Sequence, residues 1–162
     1  MDSFGRAIEV LNRWVRGICI VLSGTLFILV IAQILFRYVI KIPAPWTEEA
    51  ARYLMIWMAL LAAGVAFQKG HHFNIDIFTG RLRANSRQKI ALFTGLLTSL
   101  FILCIILWGV PFAILGFFTI SPGLEITMFL PYLAIPVAGG VMMLNLLVYL
   151  AGLKGRKDPQ GP

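Results

Sequence analysis

The ionisable side chains of this 162-residue chain lie outside its four long apolar segments. Residues 17–36, 53–67, 90–118 and 126–153 contain no Asp, Glu, Lys, Arg or His. Ion and proton carriers place ionisable groups inside such segments, because a charge in lipid is costly and is kept only where it is used. The pattern therefore argues against an autonomous ion-coupled transporter. The polar groups inside the segments are typical of hydrogen bonds between helices, and they include Ser23, Thr25, Gln33, Thr94, Thr98, Ser99 and Asn145.

Charged residues cluster just before the second apolar segment. Glu48 and Arg52 are four residues apart and Glu49 and Arg52 are three apart, so on a helix these charges can pair on one face. Trp46 and Tyr53 flank them and are typical of anchors at a membrane–water interface. Two interpretations stay open: the segment anchors the start of a helix, or it forms a docking surface for another subunit.

Histidine and cysteine offer little for metal or cofactor chemistry. The only histidines, His71 and His72, lie between apolar segments, whereas a haem in a bilayer requires histidines inside them. Cys19 and Cys104 fall within apolar segments and are interpreted as small core residues. No nucleophile–base set or Gly-rich phosphate loop accompanies them. The sequence predicts neither an enzyme nor a bound cofactor or metal.

The amino-acid composition indicates whether the chain folds in water or in a membrane. Hydrophobic residues make up 59% of the chain and charged residues 13%, against roughly 45–50% and about 25% in soluble domains. A chain of this size cannot bury that much apolar surface in water. We therefore predict an integral membrane protein. Fibrous, disordered and nucleic-acid-binding classes are excluded, despite a net charge of +7.

The segment lengths predict an all-α membrane protein, because a bilayer crossing needs roughly 20 helical residues. We expect a single domain over 1–162, with four transmembrane helices preceded by an N-terminal amphipathic helix. Thr47 is expected to cap the second crossing. The predicted ranges are 3–16 for the amphipathic helix, 17–37, 48–69, 88–112 (or as far as 118) and 128–152 for the crossings, and 153–162 for the tail.

The N-terminal segment alternates at helical spacing. We interpret it as a helix in the membrane interface, although packing against protein would use the same stripe. Its apolar side comprises Phe4, Ala7, Ile8, Leu11, Trp14 and Val15, and its polar side Arg6, Glu9, Asn12, Arg13 and Arg16.

Positive charge predicts the orientation. Eleven of the 14 Lys and Arg residues lie in 1–16, 69–89 and 154–157, and the other three lie at the opposite ends of the helices. Because cytoplasmic loops carry excess Lys and Arg, we expect both termini in the cytoplasm.

Small residues recur at four-residue spacing in the second and fourth crossings. Such spacing lets helices approach closely in lipid. The surfaces serve either the helices of this chain or a larger partner, and both interpretations stay open. The pairs are Ala59/Ala63, Ala62/Ala66 and Ala134/Ala138, with Gly139-Gly140 beside the last.

Short motifs lie within residues 46–76 and consist of Trp46-Thr47-Glu48-Glu49-Ala50-Ala51-Arg52, Trp57, Gly64, Gly70-His71-His72 and Asp76. In these motifs, and in length and layout, the chain resembles the small membrane subunit of tripartite ATP-independent periplasmic (TRAP) transporters. The resemblance implies a bacterial inner-membrane protein without catalytic residues, whose motif residues are partner-contact or structural candidates. Trp46, Glu48, Glu49 and Arg52 would then face the periplasm, and Gly70, His71 and Asp76 the cytoplasm.

The resemblance also implies partners. A large membrane subunit would carry the sodium and substrate sites, and a periplasmic binding protein would deliver an organic acid. The small subunit would act as a scaffold in the lipid membrane, without a cofactor and without nucleic acid. Two alternatives remain: a standalone four-helix exporter, disfavoured by the missing intramembrane carboxylate, and a membrane anchor holding haem or quinone for a redox enzyme.

Overall fold

The computed structural model of the chain describes residues 3–67 and 84–155. The described residues are almost entirely helical, which confirms the predicted all-α class, and four of the helices are long and apolar enough to cross a membrane. The expected candidates Gly70, His71 and Asp76 lie outside the described residues. The helices are α1 (Ser3–Ile34), continued by a π-helical segment (Leu35–Ile40), α2 (Pro45–Ala66), α3 (Ala84–Leu115), followed by a 3-10 turn (Gly116–Phe118), and α4 (Phe129–Gly155).

The four helices form a row rather than a closed bundle. Helix α1 packs on α2, α2 packs on α4, and α4 packs on α3. Among the described residues, α1 also touches α4 near Asn12. The two outer helices, α1 and α3, expose large apolar side chains such as Phe27 and Trp108. Exposed apolar surface of this extent is suited to lipid or to a protein partner.

Helix α1 runs without a break through the predicted boundary at residue 17. The two expected elements, 3–16 and 17–37, are thus parts of one helix in the described structure. Ile8 and Val15 are buried against the other helices, whereas Trp14 is 71% exposed. Asn12 was grouped with Arg6, Glu9, Arg13 and Arg16 on the polar side, but it is fully buried whereas those four are exposed, so this grouping is wrong for Asn12. Placement of this segment in the membrane interface stays a prediction.

The turn between α1 and α2 is short. The π-helical segment ends at Lys41, whose φ of 59° lies in the left-handed region and reverses the chain. Ala44 then caps α2, and Pro45 occupies its first turn, where the missing N–H of proline costs nothing. The expectation that Thr47 caps the helix is therefore wrong. Its hydroxyl instead donates to the Ala44 carbonyl at 2.7 Å.

The small residues of α4 serve packing within the chain. Ala134 and Ala138 are completely buried. A side chain at Gly139 would lie 2.8 Å from Cγ1 of Ile106 on α3. Of the two interpretations of these small residues, internal packing applies to α4. This close packing places the start of α4, and the loop before it, against α2.

Candidate functional site

Helix α2 divides the candidate residues of the 46–64 motif between two sides. At 100° per residue, the side chains of Glu49, Tyr53, Trp57 and Gly64 fall on one side, and we call them the closed stripe. After Pro45 and Trp46, the side chains that α2 leaves exposed form a second line, the open stripe, which consists of Glu48, Arg52, Met55, Ala59 and Ala62.

Glu49 joins the closed stripe to the loop between α3 and α4. Its Oε2 atom accepts backbone hydrogen bonds from Gly123 at 2.7 Å and Leu124 at 2.9 Å. The Tyr53 hydroxyl donates to Oε1 at 2.5 Å. Hydrogen bonds to an ionised acceptor are stronger than neutral ones. This carboxylate thus fixes the loop to the start of α2.

The loop is shaped to meet this carboxylate. Its backbone pairs across the turn, with Ser121 N–H donating to Ile126 O and Met128 N–H to Thr119 O, each at 2.9 Å. A side chain at Gly123 would place its Cβ atom 2.5 Å from Oε2 of Glu49. Only glycine therefore leaves room for the carboxylate at this position.

Two aromatic residues extend the contact along α2. The Tyr53 oxygen lies 3.1 Å from Sδ of Met128, and Nε1 of Trp57 donates to the Leu130 carbonyl at 3.2 Å. Leu130 belongs to the first turn of α4. Helix α2 is thus attached both to the loop and to the start of the helix that follows it.

At the other end of the closed stripe, two buried asparagines join three helices. Nδ2 of Asn12 on α1 donates to Oδ1 of Asn145 on α4 at 2.6 Å, and Nδ2 of Asn145 donates back at 2.9 Å. Asn145 also donates to the Gly64 carbonyl at 3.0 Å. Gly64 lies in the last turn of α2, where carbonyls lack partners within the helix. The predicted role of Asn145, a hydrogen bond between helices, is confirmed.

Gly64 permits this junction because of its size. A Cβ atom there would lie 2.9 Å from Cγ1 of Val141, which is closer than carbon atoms normally approach. Val141 belongs to a buried cluster with Val15, Leu61 and Val65. The three helices therefore meet through apolar packing as well as through the asparagine pair.

The open stripe has a different environment. Glu48 and Arg52 are exposed, and the carboxylate of Glu49 is bonded to the loop. The contacts of the described residues include no ion pair between Arg52 and Glu48 or Glu49, although this pairing was expected. Trp46 is partly exposed, and its ring lies edge-on to Phe36 with a centroid distance of 6.4 Å.

Two cavities adjoin the open stripe along the seam between α1 and α2. The first, of about 380 Å³, is lined by Cys19, Ile20, Ser23, Met58, Ala59 and Ala62. The second, of about 620 Å³, lies at the turn between the two helices and includes Gln33, Arg37, Lys41 and Glu48. The motif residues of α2 therefore border both an internal hydrogen-bond network and an unfilled seam.

Comparison with known proteins assigns these features to a family. A family model described as "Tripartite ATP-independent periplasmic transporters, DctQ component" matches residues 26–154. The chain belongs to this family. As a small TRAP transporter subunit with four apolar helices, it is a multi-pass protein of the inner membrane.

Curated relatives agree with the family. The chain is 35% identical over 112 residues to the isethionate TRAP transporter permease protein DctMQ of Oleidesulfovibrio alaskensis, covering 67% of this chain and 18% of the relative. It is 32% identical over 112 residues to the C4-dicarboxylate TRAP transporter small permease protein DctQ of Rhodobacter capsulatus, covering 63% and 46%.

A sialic acid TRAP transporter permease protein, SiaT of Haemophilus influenzae, is 37% identical over 93 residues, which are 55% of this chain and 15% of the relative. The small TRAP subunit thus matches less than half the length of each of these three relatives.

Proposed function

We propose that this chain is a non-catalytic TRAP subunit that braces a larger, sodium-coupled permease subunit. The main support is that its buried polar groups are hydrogen-bonded within the chain. Among the described residues, no buried side-chain nitrogen or oxygen lacks a hydrogen-bond partner. The Asn12–Asn145 pair is satisfied within the chain. A solute carrier needs polar groups that can bind the solute and release it again. Here the buried polar groups are already hydrogen-bonded between helices.

The network also suits a rigid support. The Glu49 contacts tie α2 to the α3–α4 loop near one end, and Asn145 ties α1, α2 and α4 near the other. Helices joined near both ends resist sliding, because a displacement would break hydrogen bonds that are buried at Asn145 and part-buried at Glu49. Such a row of helices can support the larger permease subunit in the bilayer.

The substrate of the complete system is proposed to be an organic acid. The relatives carry the names of isethionate, sialic acid and C4-dicarboxylate transporters, and each of these compounds is an organic anion. We place the sodium and substrate contacts in the large subunit and assign delivery to a periplasmic binding protein. No cofactor is assigned to the small subunit.

The orientation follows from charge. The ends carrying the segments 1–16, 69–89 and 154–157 hold 11 of the 14 basic residues, which favours the cytoplasmic side. Under this proposal the loop held by Glu49 faces the periplasm, together with Trp46, Glu48 and Arg52.

Reconstitution tests the proposed function. The chain, its large permease subunit, and both together are placed in liposomes with the binding protein, a labelled organic acid and an inward sodium gradient. We expect uptake only when both membrane subunits are present. Uptake by this chain alone would contradict the proposal, as would full uptake by the large subunit without it.

A further inference from the structure

The seam between α1 and α2 contains a groove with a floor of small side chains. Cys19 and Ser23 contribute from α1, and Ala59 and Ala62 contribute from α2. Ile20 stands at its edge and is 73% exposed. The groove therefore has a shallow floor and an apolar wall along the membrane-crossing part of both helices.

Within this chain, a comparable set of small residues already holds a helix. Ala134 and Ala138 on α4 are completely buried, and the position of Gly139 lies against Ile106 of α3. In lipid, helices associate through close packing of this kind, because there is no hydrophobic driving force between them. Ala59 and Ala62 are likewise small and lie three residues apart on one side of α2, but they are exposed. They lack the helix that covers their counterparts on α4.

The polarity of the seam suits a helix that crosses the membrane. The cavity beside Ala59 and Ala62, towards the end of α2, is mainly apolar. The separate cavity at the turn between α1 and α2 carries the exposed side chains of Glu48, Arg37 and Lys41. A membrane-crossing helix has the same sequence of environments, with an apolar middle and a polar end at the interface.

The relatives point to the source of that helix. In the isethionate permease protein, the region like this chain accounts for 18% of the polypeptide, so a much longer remainder is attached to it. A tethered neighbour is held at high effective concentration in the same membrane. The permease part that accompanies the small subunit is therefore the membrane partner that is always within reach of the groove.

We propose that one transmembrane helix of the large permease subunit lies in the groove between α1 and α2. Its apolar middle contacts Ala59 and Ala62, and its outer end lies beside Glu48 and Arg52. This inference rests on the proposed function and adds the surface through which the two subunits associate.

Bulky substitutions in the groove test the proposal. Ala59→Trp and Ala62→Trp fill the floor, whereas Leu97→Trp and Leu100→Trp add the same side chain to exposed positions of α3. Each affinity-tagged variant is co-expressed with the large subunit, and the recovered large subunit is measured. We expect the groove variants to lower recovery at least about tenfold, since overpacking a helix contact is strongly unfavourable, and the α3 variants to match the unmodified chain.

A second measurement does not depend on large substitutions. A photo-crosslinking amino acid replaces Ile20 at the edge of the groove or, as a control, Phe93 on α3, which is also exposed. We expect position 20 to yield a covalent product with the large subunit and position 93 to yield none. The product is identified by mass spectrometry of the crosslinked peptide.

The outcomes separate the two proposals. If the unmodified chain retains the large subunit but the groove variants retain it equally, and position 93 crosslinks instead of position 20, the groove assignment fails and the proposed function stands. Crosslinks at position 20 to lipid alone, or to a second copy of this chain, also overturn the groove assignment. If the unmodified chain does not associate with the large subunit at all, the proposed function itself fails.

Discussion

The two stripes of α2 differ in what holds them, although they share one short segment of sequence. Glu49 on the closed stripe binds the backbone of the α3–α4 loop. Glu48, one residue earlier, is rotated by 100° and is exposed on the open stripe. Adjacent glutamates in one motif therefore have separate roles. The closed stripe stabilises the fold of this subunit, and the open stripe is free to contact another protein.

The same contrast applies to the small residues. Gly64 is required inside the chain, because a Cβ atom there would meet Val141 at 2.9 Å. Ala59 and Ala62 contact the seam cavity instead. Substitution on the closed stripe should therefore lower the free energy of unfolding of the isolated subunit. Substitution on the open stripe should leave it unchanged and act on assembly.

The largest loss of stability is expected for Asn145→Leu on the closed side. The substitution leaves the fully buried amide of Asn12 without its partner and removes the donor to the Gly64 carbonyl. An orphaned buried polar group costs about 1–3 kcal/mol. The free energy of unfolding, measured by denaturant titration in mixed micelles, should fall by that amount.

The double variant Asn12→Leu/Asn145→Leu provides the control. It removes both amides, so the Gly64 carbonyl still loses its donor but no side-chain amide is left unpaired, and part of the loss should be recovered. A double-mutant cycle then gives the coupling between the two positions. Strictly additive effects of the single substitutions would show that the two side chains do not interact.

A smaller loss is expected for Glu49→Gln, which keeps the shape of the side chain and removes its charge. One oxygen is replaced by an NH₂ group, so the group can no longer accept from Tyr53, Gly123 and Leu124 together. Water at this end of the helix replaces part of what is lost, so the effect should be less than that of Asn145→Leu. Hydrogen exchange of the Gly123 and Leu124 amides should accelerate.

The matched control for this substitution is Glu48→Gln. Glu48 is exposed on the open stripe, so its substitution should leave exchange in the loop unchanged. Equal acceleration in both variants would mean that the loop responds to the total charge of α2 and not to the Glu49 contacts.

The fold was more accessible from sequence than the site. Membrane helices are specified by long apolar runs, because each helix satisfies its own backbone hydrogen bonds. The four crossings could therefore be predicted. The start of α2 was harder to predict, because both Pro45 and Thr47 are suited to the beginning of a helix. Pro45 can occupy a first helical turn, so α2 begins two residues before Thr47. The row of helices depends on which sides pack together, and hydropathy carries no such information for helices that are apolar all round.

The partners of the polar groups were the least predictable part. Asn12 has polar neighbours along the N-terminal segment and was assigned to their side, yet its partner Asn145 lies 133 residues away. The contact between Glu49 and the loop likewise joins residues 74 and 75 positions apart. Only weak signals in the sequence indicated these contacts. The N-terminal segment and the fourth apolar segment each contain a single asparagine, and Ser121-Pro122-Gly123 is typical of a turn.

The smallest effect on stability is expected for Arg52→Glu on the open stripe. Exposed charges away from packed contacts change the free energy of unfolding by about 0.5 kcal/mol or less, so the variant should insert and unfold like the unmodified chain. Uptake by the complete system should nevertheless fall, roughly threefold to tenfold, because a reversed charge at the rim of an interface slows association. Added salt should reduce the difference, since exposed charges are screened.

Arg52→Gln separates loss of the charge from its reversal. We expect its uptake to lie between those of the unmodified chain and Arg52→Glu, because it removes an attraction without adding a repulsion. Uptake that is unchanged in both variants, at normal expression, would assign Arg52 to anchoring the start of α2 at the interface. The open stripe would then contact the partner through Ala59 and Ala62 alone, and its charged end would have no part in assembly.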